Sequence, residues 1–198
     1  MPARIFKRSF DIAFSLFIIL FVFSWLCPII ALLIKLESEG PVFFVQLRTG
    51  RNNTVFRCFK FRSMYINHDS DRKQATRNDD RVTRIGVLLR KTSLDELPQF
   101  FNVLIGNMSI VGPRPHMISH TEEFLRVTDK YASRHSFKPG ITGWAQVRGY
   151  RGETSSKEAI LKRVDADSWY LENWSLLLDL KIILLTFLIT LKGDKNAY

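Results

Sequence analysis

A run of 23 uncharged, mostly apolar residues near the N-terminus constrains this chain more than any other feature. Residues 12–34 read IAFSLFIILFVFSWLCPIIALLI. A straight helix of that length measures about 34 Å, enough to cross a hydrocarbon core of about 30 Å. The run is longer than the apolar part of a cleaved signal peptide, and no small-residue cleavage site follows it. We therefore expect a membrane anchor.

Two features favour a re-entrant helix over a straight span. Pro28 lies inside the run, where it removes a helical hydrogen bond and clashes with the preceding turn. The basic residues that flank the run are also balanced: Arg4, Lys7 and Arg8 precede it, and Lys35, Arg48 and Arg51 follow it. A spanning helix normally has an excess of Lys and Arg at one end. A helix that breaks at Cys27-Pro28 and returns to the same side fits this balance, and a straight span is the alternative. At the entrance, Asp11 can pair with Lys7 or Arg8.

The composition of the whole chain limits its size class and its compartment. The 198 residues suit one domain with a short anchor and leave no room for a transporter with many spans. Apolar residues make up 46%, which excludes general disorder. Two cysteines cannot form a disulfide framework, so a compartment facing the cytosol is favoured.

The remaining residues predict an α+β fold that is mostly α. Segments 42–47 and 54–61 are rich in aromatic and branched residues and are separated by a turn-like segment, 49–53, so they predict a β-hairpin. Residues 68–81 are highly charged and predict an exposed loop. Helices are predicted at 82–91, 94–105, 120–131 and 158–173, with Thr92 or Ser93 capping the second, and loops at 111–115 and 139–143. The apolar stretch 175–192 predicts an amphipathic interfacial helix. We assign residues 1–40 to the membrane anchor and 41–198 to a cytoplasm-facing catalytic domain.

The adjacent carboxylates Asp95 and Glu96 are the leading candidate site. Placed at a helix start, they point in different directions, so one can attack or accept a proton while the other binds a metal. Arg90, Lys91 and Arg114 are near them in the sequence. Basic residues around acids suit a polyphosphate held together with a divalent ion, since Mg²⁺ needs only one or two protein carboxylates when phosphates complete its shell.

Three further motifs are relevant to the function. Gly112-Pro113-Arg114-Pro115 fixes an arginine on a stiff backbone, which suits phosphate recognition. Residues 139–146, PGITGWAQ, combine a Gly-rich loop, an aromatic ring and an amide that suit a base or sugar, although no known phosphate-loop spacing is present. His116 and His120 are better explained as polar surface residues than as zinc ligands. The positive charge is better explained by lipid headgroups and phosphate substrates than by nucleic acid, which is not expected as a partner.

Taken together, several segments resemble the monotopic phosphoglycosyl transferases, the bacterial sugar transferase family. They follow one another in family order and cover nearly the whole chain. The matching segments are Lys7-Arg8-x-x-Asp11, Gln46-x-Arg48-x-Gly50, FKFRSM (59–64), Arg90-x-x-SLDELPQ (93–99), NVLxG (102–106), MSxVGPRP (108–115) and PGITGWAQV (139–147).

The resemblance implies a reaction and roles for particular residues. A sugar-1-phosphate passes from a nucleoside diphosphate sugar to a polyprenyl phosphate, with release of the nucleoside monophosphate. Asp95 is then the nucleophile that forms a phosphosugar intermediate, and Glu96, with Asp95, holds Mg²⁺. Phosphate binding falls to Arg90, Arg114 and Lys60, and contact with nucleotide or sugar to Gln146, Trp144 and Arg148. The anchor residues are Lys7, Arg8, Asp11 and Pro28; other members have a Ser-Pro pair where this chain has Cys27-Pro28.

The resemblance also implies a location and partners. The expected location is the cytoplasmic face of the bacterial inner membrane. The expected partners are a UDP-sugar, undecaprenyl or another polyprenyl phosphate, and membrane lipid; a homo-oligomer is compatible with the sequence. Residues 151–154 (RGET) and the ending KNAY (195–198) look like relatives that transfer glucose or galactose phosphate. An N-acetylated amino sugar is the alternative donor, and a non-catalytic membrane scaffold is the alternative class. Larger relatives carry additional domains, so the chain is either a minimal enzyme or a piece of a larger one.

Overall fold

The computed structural model describes residues 2–70, 73–76, 78–152 and 156–192 and is mostly helical. Two short pairs of strands complete it. The strands are β1 (Phe43–Thr49), β2 (Val55–Phe61), β3 (Ser109–Val111) and β4 (Gly140–Thr142). The α-helices are α1 (Pro2–Ile18), α2 (Ser24–Glu37), α3 (Arg84–Lys91), α4 (Gln99–Ile105), α5 (Ile118–Val127), α6 (Trp144–Val147), α7 (Lys157–Glu172) and α8 (Leu176–Lys192).

The N-terminal helix runs without interruption from Ala3 to Glu37 and is long and apolar enough to cross a membrane. It does not break at Pro28, which lies inside α2. The helix departs from α geometry one turn earlier, in a π-helical segment, Ile19–Phe23. There the amide of Ser24 donates to the carbonyl of Ile19 and is therefore not available to the carbonyl of Leu20, its usual acceptor in an α-helix. The Ser24 hydroxyl donates to the Leu20 carbonyl instead, at 2.7 Å. A widened turn ahead of a proline makes room for its ring.

Both ends of this long helix are tied to the termini of other helices. Arg8 donates to the carbonyls of Val103 and Leu104 at 2.6 and 2.8 Å, in the last turn of α4, where the helix dipole favours a positive charge; the Val103 carbonyl also accepts from the amide of Gly106. At the other end, the Glu37 carboxylate accepts from the amides of Arg84 and Ile85 at the start of α3, at 2.7 and 2.9 Å. The helix therefore packs along the rest of the chain at its beginning and at its end.

The predicted pairing of Asp11 with Lys7 or Arg8 is not a close ion pair among the described residues, although Lys7 is near enough to stabilise the Asp11 charge from a distance. Lys7 instead forms an ion pair with Asp179 of α8 at 2.6 Å. The Asp11 carboxylate accepts from the hydroxyl of Ser109 and the amide of Ile110, both at 3.1 Å. These contacts join residues about 100 positions apart, so local spacing in the sequence could not indicate them.

The hairpin was predicted correctly. Of the two predicted loops, 111–115 begins with the last residue of β3, and 139–143 contains the whole of β4. β1 and β2 pair antiparallel, with Gln46 opposite Cys58. β3 and β4 pair in parallel, Val111 opposite Thr142. The second pair needs glycine, because a Cβ on Gly140 would lie 2.1 Å from the amide nitrogen of Gly112.

The region predicted as one helix at 94–105 is divided in two. Leu94–Glu96 is a single 3₁₀ turn, and α4 begins only after Pro98, whose missing N–H interrupts the ladder. Ser93 has a left-handed backbone (φ 57°), and its hydroxyl has no hydrogen-bond partner among the described residues, so it does not cap the helix. Three other predicted helices are confirmed to within two residues: 82–91 is α3, 158–173 is α7 and 175–192 is α8. The helix predicted at 120–131 is α5, which ends at Val127 and is followed by a 3₁₀ segment, Asp129–Ser136.

Apolar side chains form three buried clusters, of which two share strand β2. One joins β2 and α4 to β3 and α8; its buried members are Phe56, Cys58, Val103, Met108, Ile110, Val111, Tyr170 and Ile182. The second fixes the long helix against β2 and α3 through Phe23, Ile30, Ile34, Phe61 and Leu89. Each fully buried isoleucine contributes roughly 1.5–3 kcal/mol.

A buried ion pair between Arg134 and Asp167 gives a stability prediction. Their side chains are 3% and 2% exposed, and they approach to 2.8 Å. Asp167→Asn leaves the arginine without its counter-charge and should lower the free energy of unfolding by about 3–5 kcal/mol. Melting in detergent measures the effect.

Asp165→Asn is the matched control on the same helix. Its pair with Lys130 is 3.7 Å long and largely exposed, so the substitution should cost at most ~1 kcal/mol. Equal melting temperatures for the two variants would contradict the structural importance of the Arg134–Asp167 pair.

Candidate active site

The predicted acids and cations come together in one cavity. It has a volume of about 390 Å³ and lies between the hairpin, the 3₁₀ turn that carries the two acids, and the Pro113–Pro115 loop. Its lining includes all five residues predicted for the acids and for phosphate binding, Lys60, Arg90, Asp95, Glu96 and Arg114. A 3₁₀ turn separates successive side chains by about 120°, so Asp95 and Glu96 have different surroundings.

Glu96 is held by three cations. Arg114 donates to its two carboxylate oxygens at 2.6 and 3.2 Å, in a bidentate pair. Lys60 donates at 2.8 Å, and Arg151 lies 3.7 Å away. Burial alone would raise the pKa of Glu96, but Arg114, Lys60 and Arg151 outweigh it and hold that pKa well below its ordinary value. Glu96 is therefore ionised at neutral pH.

Asp95 has a looser environment. Its ion pair with Lys60 is 3.7 Å long, although the side chain is only 8% exposed. Burial raises the pKa of Asp95 and the charge of Glu96 adds to the rise, while Lys60, Arg90 and Arg151 oppose it. The two neighbouring carboxylates thus have pKa values pushed in opposite directions, which is typical of acids with separate chemical roles.

Two buried arginines hold the backbone beside the cations of Glu96. Arg134 donates to the carbonyl of Arg114 at 2.8 Å. Arg163 donates to the carbonyls of Tyr150 and Gly152, on either side of Arg151, at 2.8 and 2.6 Å. Neither arginine was predicted, because no sequence motif indicates a side chain whose role is to hold the backbone of another residue in place.

His116 is not the surface residue that the sequence suggested. It is 6% exposed and lines the cavity, with Nδ1 2.7 Å from the hydroxyl of Tyr131 and 2.9 Å from Arg134. Burial and the neighbouring cations, Arg134 first, hold its pKa well below the ordinary value, so the ring is neutral. His120 is half-buried at the same cavity. Within the described ranges, no group of three His, Cys, Asp or Glu could hold a metal ion.

The residues predicted to contact nucleotide or sugar lie outside this cavity. Trp144 stacks on Trp169 at 4.8 Å between ring centroids, and the guanidinium of Arg148 lies 5.6 Å from the Trp144 ring. Gln146 lines a smaller cavity of about 80 Å³ that also contacts Glu96 and Arg151. Its Oε1 is buried without a partner in the described part of the chain.

Some sequence features could have indicated residues that the prediction missed. Arg151 stands in the RGET segment that was assigned only to sugar preference, yet it reaches Glu96. Arg48, within a quoted motif, lines the cavity and donates to the carbonyl of Pro115 at 2.6 Å. The other residues used to infer the sugar, Glu153, Thr154 and 195–198, lie outside the described residues.

The cavity thus holds a buried pair of acids surrounded by basic side chains, in a chain that also has a long apolar helix. The sequence profile of the family described as bacterial sugar transferase matches residues 2–193, and the chain belongs to that family.

Individual relatives are similar over nearly the whole chain. The chain is 50% identical over 198 residues to a UDP-glucose:undecaprenyl-phosphate glucose-1-phosphate transferase of Escherichia coli (strain K12), covering 98% of the chain and 42% of the relative. It is 52% identical over 171 residues, 85% of the chain and 35% of the relative, to a protein of the same name from Xanthomonas campestris pv. campestris. It is 44% identical to a UDP-N-acetylgalactosamine-undecaprenyl-phosphate N-acetylgalactosaminephosphotransferase of Aeromonas hydrophila, covering 94% and 44%. The chain thus spans less than half the length of these relatives.

Proposed function

We propose that this chain transfers a hexose-1-phosphate from a UDP-sugar to undecaprenyl phosphate and releases UMP. The observation that carries the proposal is the pair Asp95 and Glu96, buried side by side in a cavity with Lys60, Arg90, Arg114 and Arg151. Such a cluster suits a diphosphate, whose charge the cations neutralise. The names of the E. coli and X. campestris relatives support glucose as the sugar.

The different surroundings of the two acids assign their roles. The oxygens of Glu96 are occupied by Arg114 and Lys60, so Glu96 is fixed and poorly suited to attack. Asp95 makes one longer pair with Lys60, which leaves its oxygens better able to reach phosphorus. Asp95 is therefore proposed as the nucleophile and Glu96 as the group that orients the cations.

The reaction then has two displacements at one phosphorus atom. In the first, an oxygen of Asp95 bonds to the sugar-bearing phosphorus, and the bond from that phosphorus to the bridging oxygen breaks, so UMP leaves with the electron pair. In the second, an oxygen of the polyprenyl phosphate bonds to the same phosphorus and Asp95 is released as the carboxylate. The donor and the lipid need not occupy the cavity together. Lys60, Arg90 and Arg114 stabilise the charge that develops on the phosphoryl oxygens.

The donor set is compatible with Mg²⁺ as cofactor. Asp95 and Glu96 carry hard oxygen ligands and line one cavity, so they would hold Mg²⁺ together with phosphate oxygens of the donor. Glu96 already contacts Lys60 and Arg114, so the protein groups alone make a weak site and the diphosphate is needed as a ligand. When bound, Mg²⁺ would neutralise charge on the diphosphate.

The contacts of the long helix support a re-entrant, monotopic anchor in residues 1–40. Arg8 near its start and Glu37 at its end both bind helix termini of the same compact part of the chain. A straight span would place those two residues on opposite sides of a membrane. The π segment near the middle is a position where helices bend. In the proposed topology the 41–198 domain lies on one face of the membrane. We propose the cytoplasmic face of the inner membrane, because nucleotide sugars are cytoplasmic substrates.

The exposed surface of α8 also supports a location at the membrane. Its exposed apolar side chains recur every three or four residues and form one outward face, Leu177, Leu180, Leu184, Leu188 and Leu191. Lys181 and Lys192 are exposed on the same helix, and Asp179 and Ile182 face the interior. A helix with this pattern is suited to lie in the interface, close to the acceptor's phosphate.

An N-acetylated amino sugar is the second candidate donor. The A. hydrophila relative, whose name specifies that donor, is 44% identical to this chain. UMP release with undecaprenyl phosphate and a panel of UDP-sugars separates the two candidates. A non-catalytic scaffold would release no UMP with any of them.

The covalent intermediate gives the most direct prediction. Mixing the full chain with UDP-glucose, without the lipid acceptor, should add one hexose phosphate to Asp95, detected by intact-mass and peptide mass spectrometry. Asp95→Asn should abolish the adduct and lower UMP release at least ~10³-fold, because an amide is a poor nucleophile. The matched control is Asp80→Asn, at an exposed position outside the cavity lining, which should behave as wild type. An adduct in Asp95→Asn, or a reaction that requires both substrates at once, would contradict the mechanism.

The pH dependence of adduct formation tests the role of Lys60. The carboxylate form of Asp95 attacks, so the rate falls as the pH drops through the pKa of Asp95. Lys60 is the strongest influence that lowers this pKa. Lys60→Gln should therefore raise the pKa and move the acidic limb of the profile to higher pH, while Lys91→Gln, at an exposed position, leaves it in place. An acidic limb that does not move would show that another group titrates.

Labelling of introduced cysteines tests the topology. In a Cys27→Ser background, Ala3→Cys and Glu39→Cys, both at exposed positions, should react with a membrane-impermeant maleimide from the same side of sealed vesicles. Leu20→Cys, in the apolar stretch, should stay unlabelled and serves as the control. Labelling of the two ends from opposite sides would establish the straight span.

A further inference from the structure

A second basic cavity lies at the start of α1, away from the acids. Its volume is about 190 Å³, and it is formed by α1, the turn after β1 and the segment that precedes β4. Its lining is Arg4, Lys7, Arg8, Asp11, Arg51, Ser109, Ser136, Phe137, Lys138 and Trp174. Among the described residues, it shares no lining residue with the Asp95 cavity. The proposed reaction leaves it unused.

The charges in this cavity are unbalanced. Five cationic side chains line it against one carboxylate, Asp11. Asp11 is already engaged by Ser109 and the amide of Ile110. Lys7 and Arg8 are likewise engaged, by Asp179 and by the end of α4. The charges of Asp11, Lys7 and Arg8 therefore stabilise the fold, and they are only partly available to bind a ligand.

Three cations remain, Arg4, Arg51 and Lys138. Their side chains have no hydrogen bond or ion pair within the part of the chain that the structure describes. Lys138 is half-buried; burial, Arg8 and Arg51 lower its pKa and outweigh the opposite influence of Asp11. A half-buried ammonium beside other cations is unfavourable unless an anion joins them. The cavity therefore has the charge and the space for an anionic group.

The surroundings indicate where that anion comes from. Ile5 and Phe6, next to Arg4, are 67% and 70% exposed, and Leu177, three residues after Trp174, is 79% exposed. Exposed apolar side chains that are close in sequence to residues lining a cationic cavity suit acyl chains beside a headgroup. Trp174 lines the cavity, and tryptophan is enriched at the level of lipid headgroups.

We propose that this cavity is a binding site for the phosphate group of an anionic membrane phospholipid, separate from the site of sugar transfer. Arg4, Arg51 and Lys138 bind the phosphate, and the acyl chains run along the exposed apolar residues of α1 and α8. Free phosphate has the same chemistry at the phosphorus centre but lacks the acyl chains. The proposal goes beyond the reaction at Asp95 and does not depend on it.

Lipid retention by the full chain tests the proposal. The protein is reconstituted in phosphatidylcholine nanodiscs that contain increasing fractions of phosphatidylglycerol, and bound lipid is counted by native mass spectrometry. Wild type should retain one phosphatidylglycerol in preference to phosphatidylcholine. Arg51→Gln/Lys138→Gln should weaken that retention about tenfold or more, since each basic residue near a membrane surface contributes roughly a factor of five.

The control removes the same two charges elsewhere. Arg126→Gln/Lys157→Gln changes exposed residues that line neither basic cavity, and retention should equal that of wild type. Equal loss in both double variants would overturn the proposal, because it would show a general effect of net charge. Displacement of the lipid by an equal concentration of inorganic phosphate would also overturn it, in favour of a soluble phosphate ligand.

A conservative pair separates binding from folding. Lys138→Arg keeps the charge and should retain the lipid, while Lys138→Gln should lose affinity at an unchanged melting temperature. Loss in both single variants would show that the site depends on packing around Lys138 and would overturn the role of its charge. Because the readout is lipid binding, failure here leaves the UMP-release and adduct measurements at Asp95 unaffected.

Discussion

The ion pairs around Glu96 are the interactions on which the proposed chemistry depends. Two adjacent carboxylates, both buried, could not remain charged together without compensation, since like charges at close range raise each other's pKa. Arg114, Lys60 and Arg151 supply the compensation at Glu96. Once Glu96 is fixed as an anion, the same cations are positioned beside Asp95, whose own pairing is looser. One acid thus organises the site and leaves the other able to react.

The cations can take these positions because buried side chains hold their backbones. Arg134 donates to the carbonyl of Arg114, and Arg163 donates to the carbonyls on either side of Arg151. Asp167 provides the counter-charge for Arg134. The close approach of Gly112 and Gly140 brings the loop of Arg114 against β4, where a side chain would not fit. These residues are far apart in the sequence, but together they determine the distances between the cations and the two acids. In the proposed mechanism, in-line attack on phosphorus needs distances of this accuracy.

The membrane helix and the candidate site belong to one packed unit. Phe23, in the π segment, packs on Phe61 at the end of β2 and on Phe101 of α4, the helix that follows the two acids. Arg8 binds the other end of the same α4. The position of α4, and with it the turn that carries Asp95 and Glu96, is therefore coupled to the anchor. This coupling fits a proposed reaction in which a lipid acceptor is confined to the membrane surface.

The sequence by itself determined the features that depend on local patterns. These are the apolar helix, the hairpin, the adjacent acids, and the two cations in short motifs, Arg90 and Arg114, which line the same cavity as the acids. It could not determine contacts between distant residues. Lys7 pairs with Asp179, His116 is buried against Tyr131, and Trp144 stacks on Trp169, none of which follows from spacing along the chain. Pro28 indicates a departure from α geometry in this helix but does not fix its position, which falls earlier in the helix, at Ile19–Phe23. Periodicity and motifs report on the backbone within a few residues, whereas charge pairing and burial are decided by which surfaces meet when the chain is folded.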